Sequence, residues 1–248
     1  MVFSSSNVGP EDRRVLAFDL ESWHLNASTP EGSGKTELDA PEGMAVLGTR
    51  LYVVDTAHHR IVSFDTGTLE KVGQYPPPSW WHNGSNGKGW DQLNNPQDIA
   101  AHEGELFVSD THNDRIQVFT GSLEHIGIIG QRGKAAGQFI YPRGVTVARN
   151  GRAAPLLYVC EQSRIQALTL LGEPRIIIQV PGACNLCGIC SDGLRVYCTD
   201  MDSHKIHVLR LTHQERWHER RREAMDEARR RRNLRGGMGG VGVGVGVG

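Results

Sequence analysis

The sequence predicts an all-β fold, a β-propeller or an incomplete propeller arc of about four to five blades, followed by a C-terminal helix and a Gly/Val tail. Three observations predict it. One phrase recurs along the chain, a second motif recurs in phase upstream of it, and the spacing of both suits one four-stranded blade per repeat.

The recurring phrase is LYVVDTAHHRIVSFD at 51–65 and LFVSDTHNDRIQVFT at 106–120. A third copy starts at Leu157 with a shorter turn, a fourth starts at Arg195, and RVLAFD at 14–19 matches the second half of the phrase. The basic residues Arg14, Arg60, Arg115, Arg164 and Lys205 mark the period, with separations of 46, 55, 49 and 41 residues. Upstream, Pro41, Pro96 and Pro142 are each preceded by glycine nine residues before (Gly32, Gly87, Gly133) and by Leu or Phe three before (Leu38, Leu93, Phe139). After each proline comes a short run of small and apolar residues, GMAVL, DIAAH or GVTVA, with GICSD as the fourth counterpart. Bounded by turn residues, each reads as an inner strand near a propeller axis.

These residues resemble the NHL repeat family, whose pattern runs from a glycine-rich loop through proline and an apolar strand to L-Y-V-x-D, a turn ending in Arg, and I-x-V-F. The stretch from Asp98 to Pro142 matches nearly throughout, and the resemblance covers 14–211. It implies a propeller with a binding surface on one face and carries no particular activity, because one fold hosts many functions. Family members are often joined to RING and B-box modules in ubiquitin ligases; this chain has no zinc-ligand array of that kind.

Strand counting departs from the six blades typical of the family. Three repeats look complete, the first supplies about two strands and the last about three, which makes about 17 strands where six blades need about 24. The alternatives are a truncated chain, a smaller ring closed by pairing its ends, or an open arc with exposed edges. The organisation expected is an N-terminal extension at 1–13, the repeat region at 14–211, a basic helix at 212–235 and a low-complexity tail at 236–248.

The chain has 248 residues and a formal net charge of -1, with 38% hydrophobic and 22% charged residues. That charge hides an asymmetry: residues 210–248 hold ten Lys+Arg against five Asp+Glu, so 1–209 is at 17 - 23 = -6. An acidic body argues against nucleic-acid binding, which needs clustered Lys and Arg on the folded surface. No run approaches the roughly 20 apolar residues that span a bilayer, and the N-terminus lacks a basic segment followed by an apolar one. The expectation is an intracellular, cytoplasmic protein with no membrane partner and reduced thiols.

The expected function is a binding scaffold for a protein partner, with no enzymatic activity and no cofactor. The alternatives are an RNA-binding propeller of this family or a metal-dependent propeller enzyme resembling amidating lyases. No phosphate-binding glycine loop, G-x-S-x-G elbow or H-E-x-x-H motif is present. The candidate binding residues come from loops expected on one face. PPPSWWH at 76–82 is an insertion that no other repeat carries, and it displays Trp80, Trp81 and His82; Lys88 and Trp90 follow in the same loop. His58, His59 and His112 lie in the turns of the repeated phrase, and Arg143 follows Pro142. Asp55 with Arg60 and Asp110 with Arg115 flank those turns, where the recurrence in every blade favours a turn-stabilising pair over ligand contacts. Cys184, Cys187, Cys190 and Cys198 have spacings reminiscent of metal ligands, yet on alignment they fall at strand positions, and packed thiols are expected. In the basic helix, Arg229 to Arg232 offer a nucleic-acid or acidic-partner contact; a solvated face is the plainer expectation.

Overall fold

The computed structural model describes residues 1–6, 13–30, 37–77, 86–149 and 153–210. All of these residues except Arg210 fall in one compact unit, Met1–Leu209. The predicted C-terminal helix and Gly/Val tail lie outside the described residues.

Five antiparallel sheets follow one another in chain order, each one repeat. Blade 1 comprises β1 (Val2–Ser6), β2 (Arg14–Phe18) and β3 (Leu25–Ser28). Blade 2 comprises β4 (Pro41–Leu47), β5 (Arg50–Asp55), β6 (Arg60–Asp65) and β7 (Lys71–Tyr75). In blade 3 the strands are β8 (Pro96–His102), β9 (Glu105–Asp110), β10 (Arg115–Thr120) and β11 (His125–Ile129). Blade 4 contains β12 (Val145–Ala148), β13 (Leu156–Cys160), β14 (Arg164–Leu168) and β15 (Pro174–Gln179). Blade 5 ends the series with β16 (Leu186–Ser191), β17 (Arg195–Asp200) and β18 (Lys205–Arg210). The three central repeats are complete, as expected. The first supplies three strands where two were expected, because Val2–Ser6, ahead of residue 14, pairs along its length with β2.

Each blade is a meander, so its strands pair in sequence order and need only tight turns. Blades stack face to face. Tyr52, Val54, Ile61 and Tyr75 of blade 2 meet Ile99, Leu106, Val108 and Phe119 of blade 3, with the Tyr75 and Phe119 rings edge to face at 4.7 Å. Ala100, Phe107, Ile116 and Val118 of blade 3 meet Val145, Leu157, Val159 and Leu168 of blade 4. Side chains alternate between faces along a strand, so the central strands are apolar on both sides and read as continuous runs. β5 is buried from Leu51 to Asp55, and β9 from Leu106 to Asp110.

The inner strands pack in series, β1 on β4, β4 on β8, β8 on β12 and β12 on β16. Close approach demands glycine at two of them. A Cβ on Gly43 would lie 2.4 Å from the Asp98 Cα, and one on Gly144 would lie 2.2 Å from the Cys187 carbonyl oxygen. The third blade places Asp98 at that register position. Its Oδ2 accepts from the N–H of Val145 at 2.9 Å, tying blade 3 to blade 4, and its Oδ1 accepts from the N–H of Ile99 at 2.9 Å.

Candidate functional site

The turns joining β5 to β6 and β9 to β10 lie beside the loops that enter each inner strand, and together they form one face. Each turn is a single 3-10 turn, Thr56–His58 or Thr111–Asn113, ended by a residue in the left-handed region, His59 (φ 52) or Asp114 (φ 56). The threonines reach forward to the next blade: Thr56 Oγ1 donates to the Pro96 carbonyl and Thr111 Oγ1 to that of Pro142, both at 2.8 Å.

The repeated acid and base stabilise this face and are not offered from it. Asp55 accepts from Arg60 Nε at 2.6 Å and from the Asp39 N–H at 2.6 Å. Asp110 accepts from Arg115 Nε at 2.7 Å, from the Asn94 N–H at 2.6 Å and from Gln117 Nε2 at 2.9 Å. In blade 4 Glu161 replaces the aspartate and holds Arg164 at 2.7 Å. The arginines donate onward to loop carbonyls, Arg115 to Gly89 and Gln92 and Arg164 to Gln138. These pairs, apart from the half-buried Arg164, are buried and hydrogen-bonded on both sides, the arrangement in which burying charge costs least.

The fifth blade departs from the scheme. Lys205 is exposed, and His207 Nε2 approaches Asp200 Oδ2 at 3.3 Å instead. Asp200 also accepts from the Cys184 and Asn185 N–H groups, each at 3.1 Å. Desolvation opposes its ionisation, but these bonds and those from Ser203 and His207 hold its carboxyl well below the usual carboxylate range.

The predicted binding residues separate into three sets. His58 and His59 are absorbed by the turns: His58 Nδ1 lies 3.0 Å from Asp55 Oδ2, and His59 Nδ1 accepts from the Asn95 N–H at 2.9 Å. Burial, and then the nearby His112, push the His59 imidazole below its ordinary value. Lys88 is exposed, and Trp90, 65% exposed, lies edge on to His125 at 4.7 Å, at the outer strand of blade 3. Trp80, Trp81 and His82 lie outside the described residues.

His112 and Arg143 do come together, with a residue that sequence reasoning passed over. The exposed His112 ring sits edge to face on Tyr141, centroids 5.7 Å apart. Tyr141 is 48% exposed and held at φ 50, its N–H donating to Asp114 Oδ1 at 2.8 Å. Two residues on, the half-buried Arg143 donates to Asn185 Oδ1 in the loop entering blade 5. Tyr141, Arg143, Asn185, Lys134, Gln162 and Asp202 border a polar cavity of about 640 Å³ between blades 4 and 5. The clue in the sequence was positional. Ala40 and Asn95 occupy the same place before the proline and share the left-handed backbone, φ 60 and 51. A bulky tyrosine there departs from the small or amide side chains that tolerate it.

A second group lines the inner strands. Asp98 stands where Gly43, Gly144 and Gly188 stand in other blades. It is partly accessible yet surrounded by protein, and desolvation pushes its carboxyl up to about 7 against the two backbone hydrogen bonds. Burial also raises Glu42, while Arg143 opposes that shift.

The cysteines divide. Cys160 and Cys198 are buried where blades 4 and 5 meet, and their mutual hydrogen bond, with burial, pushes the Cys160 thiol well above its ordinary value. Cys187 is half-buried near Thr199. Cys184 and Cys190, expected to be packed, are exposed. Cys190 sits in β16 with its side chain on the face of blade 5 that no sixth sheet covers among the described residues.

A model of the NHL repeat matches residues 93–119, which run from the end of the Gly87 loop through β10. The chain carries an NHL repeat in a β-propeller. No curated protein sequence matches it. Among solved structures, the WD40 propeller domain of Doa1 is similar at TM-score 0.56 and 9% identity, covering 82% of this chain and 59% of that domain. Selenomethionine-substituted virginiamycin B lyase from Staphylococcus aureus is similar at TM-score 0.52 and 15% identity, over 85% of this chain and 69% of the lyase. The NHL-type chain therefore spans about three-fifths of the Doa1 domain, and likeness at such identities concerns the fold alone.

Proposed function

We propose that this NHL-type propeller is a non-catalytic scaffold that binds a protein segment on its loop face, across blades 3 to 5. The observation that carries this reading is the presentation of Tyr141: a large aromatic held on left-handed backbone, half exposed, between His112 and the polar cavity that Arg143 borders. Tyrosine and arginine are enriched among the residues that dominate binding energy, and a rigid backbone lowers the ordering cost of using them. The cavity wall mixes Lys134 and Arg143 with Glu161 and Asp202, a pattern suited to a polypeptide with both kinds of polar group more than to a phosphate backbone.

Affinity capture with the full chain, analysed for protein and for RNA, tests the reading. Replacing Tyr141 and Arg143 with alanine weakens protein capture by about 2 kcal/mol or more. Capture that is unchanged in this variant, or RNA recovered in place of protein, overturns it. We also propose that Trp80 and Trp81 anchor the same partner. Their double alanine variant then loses about 2 kcal/mol of binding with an unchanged melting temperature, whereas full capture by a destabilised variant makes them packing residues.

A further inference from the structure

The two end blades expose faces that the repeat pattern builds for burial. In blade 3 the residues turned toward blade 4 include Ala100, Phe107, Ile116 and Val118, each at most 8% exposed. Aligned on Asp110 and Asp200, their counterparts in blade 5 are Cys190, Tyr197, Ile206 and Val208. The residues remain largely apolar, yet Ile206 is 66% and Val208 52% exposed, and Cys190 is exposed as well. Their alternates Val196 and Cys198 are buried against blade 4. Among the described residues, moreover, β18 is the last strand of its sheet and pairs with β17 alone.

Blade 1 presents the opposite half of the same interface. Val15 and Ala17 are buried against blade 2, and their alternates Leu16 and Phe18, both half-buried, fall on the other face of the strand. Leu16 and Phe18 align with Val62 and Phe64, which blade 2 buries against blade 1. Leu25, paired with Phe18 across β2 and β3, shares that outward face and is 56% exposed.

Among the described residues each blade-to-blade contact joins one leading face to one trailing face, and one of each has no sheet across from it. We propose that the Ile206 and Val208 face of blade 5 packs against the Leu16, Phe18 and Leu25 face of blade 1 in a second copy, continuing the inter-blade packing head to tail. The contact is heterologous, so it joins two different surfaces and leaves each copy one surface free for a further copy. It lies on the sides of the end blades and leaves the loop face of the proposed scaffold open.

Sedimentation velocity of the full chain over a dilution series is the test. The wild type shows mass rising with concentration. Ile206→Glu with Val208→Glu, at exposed positions that tolerate charge, raises the dissociation constant at least ~30-fold, the effect of losing a hot spot. Leu25→Glu alone, and Phe18→Glu with Leu25→Glu, do the same from the other side. Mixing the blade 5 variant with a blade 1 variant restores a one-to-one dimer that stops there, because each supplies the face the other lacks. A wild type that stays monomeric throughout, assembly that survives the blade 5 variant, or a mixture that fails to form the dimer overturns the proposal.

Discussion

Blades 3 and 5 are built from the same phrase, with the same aspartate at the end of the second strand, yet they differ in how that aspartate is held. Asp110 is locked by Arg115, Gln117 and the Asn94 N–H, while Arg115 continues to the loop carbonyls of Gly89 and Gln92. Asp200 has backbone N–H groups, Ser203 and His207 as partners, and Lys205 stands exposed. Blade 3 also has a neighbour on each face, whereas blade 5 packs on blade 4 alone among the described residues. The comparison teaches that the repeat motif specifies a blade locally, while its neighbours determine how much each motif residue is worth.

The largest effect is expected at the acid itself. Asp110→Ala leaves the Arg115 charge buried and unpaired, and the cost is about 3–5 kcal/mol in denaturant unfolding. Asp200→Ala destabilises less, because no buried arginine is orphaned. Equal losses would show that the two anchors are equivalent.

Ile116 and Ile206 sharpen the same comparison for apolar packing. Ile116→Ala empties a site sandwiched between blades and costs about 2–5 kcal/mol. Ile206→Ala, measured by thermal melting at high dilution, changes stability by no more than about 0.5 kcal/mol. A large loss at Ile206 in the monomer would mean that this face is covered within a single chain.

Glycine positions test how closely the inner strands approach. Gly144→Ala forces β12 and β16 apart and costs about 1–3 kcal/mol. Gly127→Ala, in the outer strand β11 with open space around its Cβ, stays within about 0.5 kcal/mol. A neutral Gly144→Ala would refute the tight packing of blade 4 on blade 5.

For pH dependence, blades 3 and 5 give opposite signs. The folded-state value of Asp98 lies above its unfolded value, so its ionisation disfavours the fold; stability falls as pH rises from about 4 toward 7. Asp200 lies below its unfolded value, so its contribution is present above about pH 4 and is lost as pH drops through the folded value. Melting temperatures measured from pH 3 to 8 should lose the decline between pH 4 and 7 in Asp98→Asn. They should lose part of the acid-side fall in Asp200→Asn. A decline unchanged in Asp98→Asn would assign it to other groups.

Much of the architecture was legible in the chain. The spacing of Arg14, Arg60, Arg115, Arg164 and Lys205 located one blade each, and Pro41 and Pro96 begin the inner strands as expected. Pro142 lies three residues ahead of the strand it leads, since β12 starts at Val145. The assignment of Asp55 with Arg60 and Asp110 with Arg115 to turn stabilisation agrees with their buried hydrogen bonds. The site was less legible. His112 and Arg143 could be named, but their meeting through Tyr141 could not, because those residues come from a turn of blade 3 and the loop entering blade 4. Cys190 was read as packed because it aligns with the strand residues Ala45, Ala100 and Thr146, of which blade 3 buries Ala100 and blades 2 and 4 half-bury theirs.

The repeat, most of the strands and the side chains that share a face follow from the chain alone, since alternation along a strand and the turn chemistry are local properties of a few consecutive residues. Which of those faces are covered, the bridge that Asp98 makes between two blades and the exposure of Tyr141 on left-handed backbone arise from the assembled fold. Burial depends on what lies across the gap between blades. An apolar strand face is written the same way whether or not a neighbour is present to cover it.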